Sequence, residues 1–235
     1  MDGTEGINSS VVAAAHELKT PLCLVRQLTF ELENTTDEKR KNEIIRRIRL
    51  TTERSLRLTD NLTKMARLED ALFEMEPIQL TGLVYEVIDE LLPLSKALKQ
   101  NFNVNVGKKP LVAVGHRELL RSLIMGLIDN ALQYNHIGKN IDVSAKIHHN
   151  ETVIMVRDYG CIMDLRQYRE LSNSLGKTAM SISDRPLSSG LGLLIADKFA
   201  KVMKGHLSMS RHHSGGVTFR AHLPISSQLT LSDCL

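Results

Sequence analysis

The stretch HELKTPL, from His16 to Leu22, places a proline inside a run that otherwise reads as helix. A proline in a helix interior costs about 3 kcal/mol, because it lacks an N–H and its ring crowds the preceding turn. The surrounding apolar residues Val12, Ala15, Leu18, Leu22, Val25, Leu28 and Leu32 nevertheless recur at helical spacing and draw one stripe. Pro21 frees the carbonyl of Glu17 and should bend the turn that carries His16. His16 and Thr20 are four apart and share a side of the helix, with Glu17 adjacent. An imidazole with an ordinary pKa of about 6.5 keeps a neutral nitrogen at physiological pH, so His16 is a candidate nucleophile. A surface histidine beside a chance proline would give the same seven residues, so the rest of the chain has to decide.

Next comes the polar ENTTDEKRK (residues 33–41), which suits a hairpin turn. Ile44, Ile48, Leu56, Leu62, Met65 and Leu68 then mark a second amphipathic helix, rich in Arg and Glu. Two such helices enclose too little core to stand alone and pair into four-helix bundles, so a homodimer through residues 10–72 is expected. Residues 1–9 read as a flexible lead and 73–77 as a hinge. Residues 78–225 form a second domain and 226–235 a tail.

Within the second domain, short strand patterns (EPIQL, NFNVNV, PLVAVG, NIDVSAKIHH, TVIMVRD) alternate with helical ones. The helices are LTGLVYEVIDELLPLSKALK, HRELLRSLIMGLIDNALQYN and GLGLLIADKFAKVMK, and the domain closes on the hairpin GHLSMSRHHSGGVTFRAHLP. Helices on one side of a mixed sheet make a two-layer α/β sandwich. Residues 160–187 lack a strong period.

Composition narrows the function classes. The 235 residues are 42% hydrophobic and 24% charged, a balance that supports packed cores. A net charge of +3, with no basic stripe, argues against nucleic-acid binding. The apolar runs are far short of the roughly 20 residues that cross a bilayer, so no direct membrane contact is expected. Cys23, Cys161 and Cys234 lie far apart and form no metal-binding spacing, which suits a reducing, cytoplasmic setting.

Three further motifs carry chemistry. In LIDNALQYN, Asn130 sits mid-helix among apolar residues, where its carboxamide needs a partner such as an ion or phosphate. In VRDYGC, Asp158 ends a strand and could accept from an exocyclic amine, while Gly160 permits the following turn. In SSGLGLLIADKF, Gly190 and Gly192 open a helix whose N-terminal amides favour an anion. Each alone has an ordinary reading: a satisfied core asparagine, a common turn, a plain helix start.

In this order the four motifs resemble sensor histidine kinases of two-component systems, over about residues 10–224. HELKTPL looks like their phosphoacceptor box, DNALQY like their N box, and DYG and GLGLLI like their glycine-rich nucleotide boxes. The resemblance implies a dimeric histidine-phosphotransfer hairpin followed by an ATP-binding sandwich of the type shared with gyrase. It makes His16 the phosphorylated nucleophile, Glu17 its activator and Thr20 the residue that helps water remove phosphate from the partner. Asn130 would contact Mg2+ and phosphate, and Asp158 the adenine. Tyr134 would lie beside the nucleotide, and Gly160, Gly190, Leu191 and Gly192 would shape the pocket. Residues 163–187 would be a lid. The implied co-substrate is ATP with Mg2+, and the implied partner is a response regulator whose aspartate receives the phosphoryl group.

Four positions depart from the family pattern: Gly126 replaces a usual asparagine, Gln133 a lysine, and Ile162 and Ser188 glycines. Losing a lysine–phosphate contact removes roughly 1.5–3 kcal/mol where it forms. Lys177 or Arg185 could compensate. A degenerate scaffold that mainly docks or dephosphorylates the regulator is the alternative, and a plain gyrase-like ATPase is a third.

Overall fold

The computed structural model describes residues 3–68, 73–107, 111–175 and 191–225. Helices α1 (Gly3–Glu33) and α2 (Glu38–Ala66) form an antiparallel hairpin. Asp37 caps α2, its side chain accepting from the Lys39 N–H at 2.9 Å, and Arg40 pairs with Glu31 across the turn. The hairpin's own core is thin: Leu28 and Ile44 are buried, whereas Leu22, Phe30, Ile45 and Leu56 are more than half exposed. The helix starts at Gly3 rather than after the flexible lead expected over residues 1–9. Once nucleated by the apolar stripe, a helix extends at one hydrogen bond per added residue.

The second domain begins with β1 (Glu76–Gln79), so Glu76 and Pro77 belong to a strand and the expected hinge shortens. There follow α3 (Leu80–Ala97), β2 (Asn101–Asn105), β3 (Val112–Gly115), α4 (Arg117–Tyr134), β4 (Asn140–His148) and β5 (Glu151–Arg157). The chain continues with α5 (Leu165–Ser174), α6 (Leu191–Val202), β6 (His206–Arg211) and β7 (Val217–Pro224). The main sheet runs β2-β4-β5-β7-β6, parallel at β2–β4 and antiparallel elsewhere, and β1 pairs with β3 separately.

Alternation builds the sheet: Ile141, Val143 and Ala145 on β4, and Val217, Phe219, Ala221 and Leu223 on β7, are all buried. They meet the apolar faces of α3, α4 and α6 in one core. The β4–β5 turn is tight because His149 and Asn150 both take positive φ, 46° and 64°.

Helix α5 is the element that periodicity missed. Its start is fixed by a capping box: the Asp164 side chain accepts from the Gln167 N–H, and the Gln167 side chain accepts from the Asp164 N–H. No helix among the described residues is long and apolar enough to cross a membrane.

Candidate functional site

Helix α4 supplies the first wall. Leu120, Leu123, Ile124, Leu127, Ile128 and Ala131 are buried, which turns Gly126, Asn130, Gln133 and Tyr134 toward the partly open face. Asn130 Nδ2 is buried with no hydrogen-bond partner among the described residues. Leaving such a donor unsatisfied costs about 1–3 kcal/mol. An anionic oxygen would satisfy it, so this position fits a phosphate or the oxygen shell of a metal ion. A Cβ added at Gly126 would meet nothing within 4 Å, so this stretch of the wall has room.

The helix stops at Asn135, which is buried and was not singled out from sequence. Its N–H donates to the Ala131 carbonyl at 2.9 Å and its Nδ2 to the Lys139 carbonyl at 2.8 Å. Its Oδ1 accepts from the Tyr159 N–H at 2.8 Å. One side chain therefore ties the end of α4 to the turn after β5.

In that turn Asp158 is 1% exposed, and its Oδ1 accepts from the Gly160 N–H at 3.0 Å. A Cβ on Gly160 would lie 2.1 Å from the Tyr134 carbonyl oxygen, so only glycine lets the two segments touch. The β6–β7 turn closes the other side. Gly215 and Gly216 have φ of +92° and +80°, and a Cβ on Gly216 would lie 1.9 Å from the Asp158 carbonyl oxygen. Three turns thus converge by backbone contact around a buried carboxylate that can accept from an amine. The glycines of the closing SGG stretch were the available sequence signal.

Neighbouring groups stiffen the rim. The Tyr159 hydroxyl donates to Asp142, and that hydrogen bond, helped by burial, raises its pKa. Arg157 lies over the Tyr159 ring at 4.4 Å. His212 Nε2 is 2.7 Å from Thr218 Oγ1, and burial, then the Arg157 and Arg220 cations, lower its pKa.

Leu191 is buried at the start of α6, while Gly192 faces open space at that helix N-terminus. Gly190, Lys177, Arg185 and Ser188 lie outside the described residues. Ile162 is 68% exposed. Among the described residues no group of three or more His, Cys, Asp or Glu could hold a metal ion.

On the hairpin His16 is exposed, and α1 runs unbroken through Pro21. The Thr20 hydroxyl donates to the His16 carbonyl at 3.3 Å. Glu17 is half-buried beside them.

Residues 115–227 match the histidine kinase-, DNA gyrase B- and HSP90-like ATPase family. Sensor protein CutS of Streptomyces coelicolor is 26% identical over 214 residues, covering 90% of this chain and 51% of that protein. Sensor protein kinase PmrB of Pseudomonas aeruginosa is 25% identical, covering 90% and 44%. The chain thus spans about half the length of these relatives. In fold, the Acinetobacter baumannii histidine kinase AdeS superposes with a TM-score of 0.61 at 17% identity, covering 90% of this chain and 98% of that one. The sandwich is therefore an ATP-binding domain of the histidine kinase and gyrase type. With the hairpin ahead of it, the chain is similar along most of its length to sensor histidine kinases.

Proposed function

We propose that this chain is the catalytic core of a two-component protein-histidine kinase that phosphorylates itself on His16 from ATP. The observation that carries the reading is the pairing of an exposed histidine in HELKTPL with a buried, unsatisfied Asn130 amide one turn before Tyr134, whose carbonyl meets the Asp158–Gly160 turn. In the reaction a neutral nitrogen of His16 uses its lone pair to form a bond to the γ-phosphorus of ATP. The bond to the β–γ bridging oxygen breaks, and ADP leaves with that electron pair. Glu17 takes the proton from the other ring nitrogen, which leaves a neutral phosphohistidine.

Asn130 would hold the phosphates through its unsatisfied amide, and Asp158 would orient adenine by accepting from its amine. Mg2+ bound with ATP would offset the charge of the phosphates. The rest of the work is positioning, as phosphoryl transfer generally requires. The phosphoryl group would pass to an aspartate of a response regulator. Thr20 would position water for its later removal. The exposed Leu22, Phe30, Ile45 and Leu56 support a dimer through residues 10–72.

The test is incubation with Mg-ATP and mapping of acid-labile phosphate. The expected result is one phosphoryl group on His16, abolished in His16→Gln while the dimer persists. Label elsewhere, or persisting in that variant, refutes the assignment. A second reading, a docking scaffold or phosphatase with a weak nucleotide site, draws support from Gly126 and from Gln133, whose carboxamide is engaged by Arg54. It predicts no ATP-dependent signal in a nucleotide-binding assay.

A further inference from the structure

The hairpin approaches the sandwich most closely at α6, and two basic residues of α2 also reach α4. Arg54 Nε pairs with Asp129 Oδ2 at 2.9 Å, and its terminal nitrogen donates to Gln133 Oε1. Lys64 Nζ donates to Ser122 Oγ at 2.9 Å and lies 3.7 Å from Glu118. The spacings agree: ten residues separate the cations (64 − 54), about 15 Å of helix. The midpoints of their partners, positions 120 and 131, are eleven apart, about 16 Å. The helices therefore lie antiparallel, with Leu58 and Leu62 packed on the sandwich core between the two clamps and Met65 just beyond the second.

The height of the first clamp on the hairpin matters. Alpha-helix α1 ends at Glu33 and α2 begins at Glu38, a register that the Arg40–Glu31 pair confirms. His16 is seventeen residues before Glu33 (33 − 16), and the same count from Glu38 (38 + 17) reaches Ser55. Arg54 thus stands at the level of His16 on the neighbouring helix. Ala14, two residues from His16, packs against the same sandwich core. On α4, Asp129 and Gln133 flank Asn130 in sequence.

We infer that Arg54 is a positioning residue for phosphoryl transfer, gripping Asp129 and Gln133 so that the N-box helix is held at the height of His16. The inference rests on the kinase reading. It also explains the glutamine at position 133: a carboxamide oxygen accepts from the guanidinium, whereas a lysine there would repel it. The fork of Arg54 engages two groups at once, which a point charge cannot do.

The experiment measures initial rates of acid-labile labelling against Mg-ATP concentration for the full chain and four variants. Arg54→Ala is expected to lower the maximal rate by about ten- to a hundred-fold, the usual penalty for a misplacement near 1 Å. Its half-saturating ATP should stay within about two-fold, since a positioning residue does not bind substrate. Arg54→Lys should recover part of the rate, and the Arg54→Asp, Asp129→Arg exchange should exceed Arg54→Asp alone. Raising salt should slow the unaltered chain and leave Arg54→Ala flat, because an exposed ion pair is screened. Thermal unfolding of each variant shows that it is folded.

An unchanged maximal rate in Arg54→Ala overturns the inference. So does a defect confined to half-saturating ATP, which would make Arg54 a phosphate ligand. An unlabelled unaltered chain overturns the kinase reading and this inference with it.

Discussion

Replacing two glycines of the site by alanine should have opposite effects, and the sign follows from the geometry. Gly126 lies inside α4, and a Cβ there would meet nothing within 4 Å. Alanine in its place saves the entropy of a helical glycine, about 0.5–1 kcal/mol. For a chain of this size each kcal/mol moves the midpoint by about 2–4 °C, so Gly126→Ala should melt about 1–4 °C higher. Gly160 is the reverse case. Its Cβ would stand 2.1 Å from the Tyr134 carbonyl oxygen and 3.0 Å from Asp158 Oδ1. Both neighbours are held, the first at the end of α4 and the second by its bond to the Gly160 N–H. Moving the turn away would break that bond and strain the Asn135–Tyr159 bond. Two buried hydrogen bonds at about 1–1.5 kcal/mol each, plus displaced packing, give roughly 2–4 kcal/mol. Gly160→Ala should therefore melt about 4–16 °C lower and lose nucleotide affinity. Differential scanning calorimetry with a fluorescent ATP analogue measures both. A Gly160→Ala midpoint within about 1 °C of the unaltered chain would refute the convergence of the three turns.

Asn130→Ala should cost roughly ten- to a hundred-fold in Mg-ATP affinity while leaving the melting temperature nearly unchanged, because its Nδ2 has no hydrogen bond to lose among the described residues; equal affinity by titration calorimetry would remove it from the site. Thr20→Ala should spare His16 labelling but slow dephosphorylation of the regulator by about ten-fold or more, read as loss of its acid-labile aspartyl phosphate. His212 has a pKa below its ordinary value of 6.5. Above that value the imidazole is neutral in both folded and unfolded chains, so it adds no pH dependence. As pH falls below it, the unfolded chain takes up a proton that the folded chain resists, and stability declines. His212→Gln should flatten that decline in denaturant titrations carried below about pH 6.5.

Periodicity was enough to find the hairpin, the three long helices of the sandwich and its strands, since each buries one face and so repeats its apolar residues at a fixed interval. The order of the four motifs carried the resemblance to sensor histidine kinases. Helix α5 escaped because it is short and polar: its signal is the local Asp164–Gln167 box rather than a stripe. Asn135 and the Gly215–Gly216 pair act through contacts with segments about 24 to 58 residues away, which no local pattern reports.

The sequence by itself singled out the residues proposed to carry the chemistry: a histidine beside a glutamate, an asparagine in an apolar helix, and a carboxylate before a glycine. Only the tertiary structure decided how they are assembled. Backbone against backbone at Gly160, Gly216 and Tyr134 brings three turns together. The guanidinium of Arg54, on a helix that looks like any solvated amphipathic one, reaches the neighbouring domain. Such contacts depend on the distance between chain segments after folding, whereas periodicity and motif spacing depend only on distance along the chain.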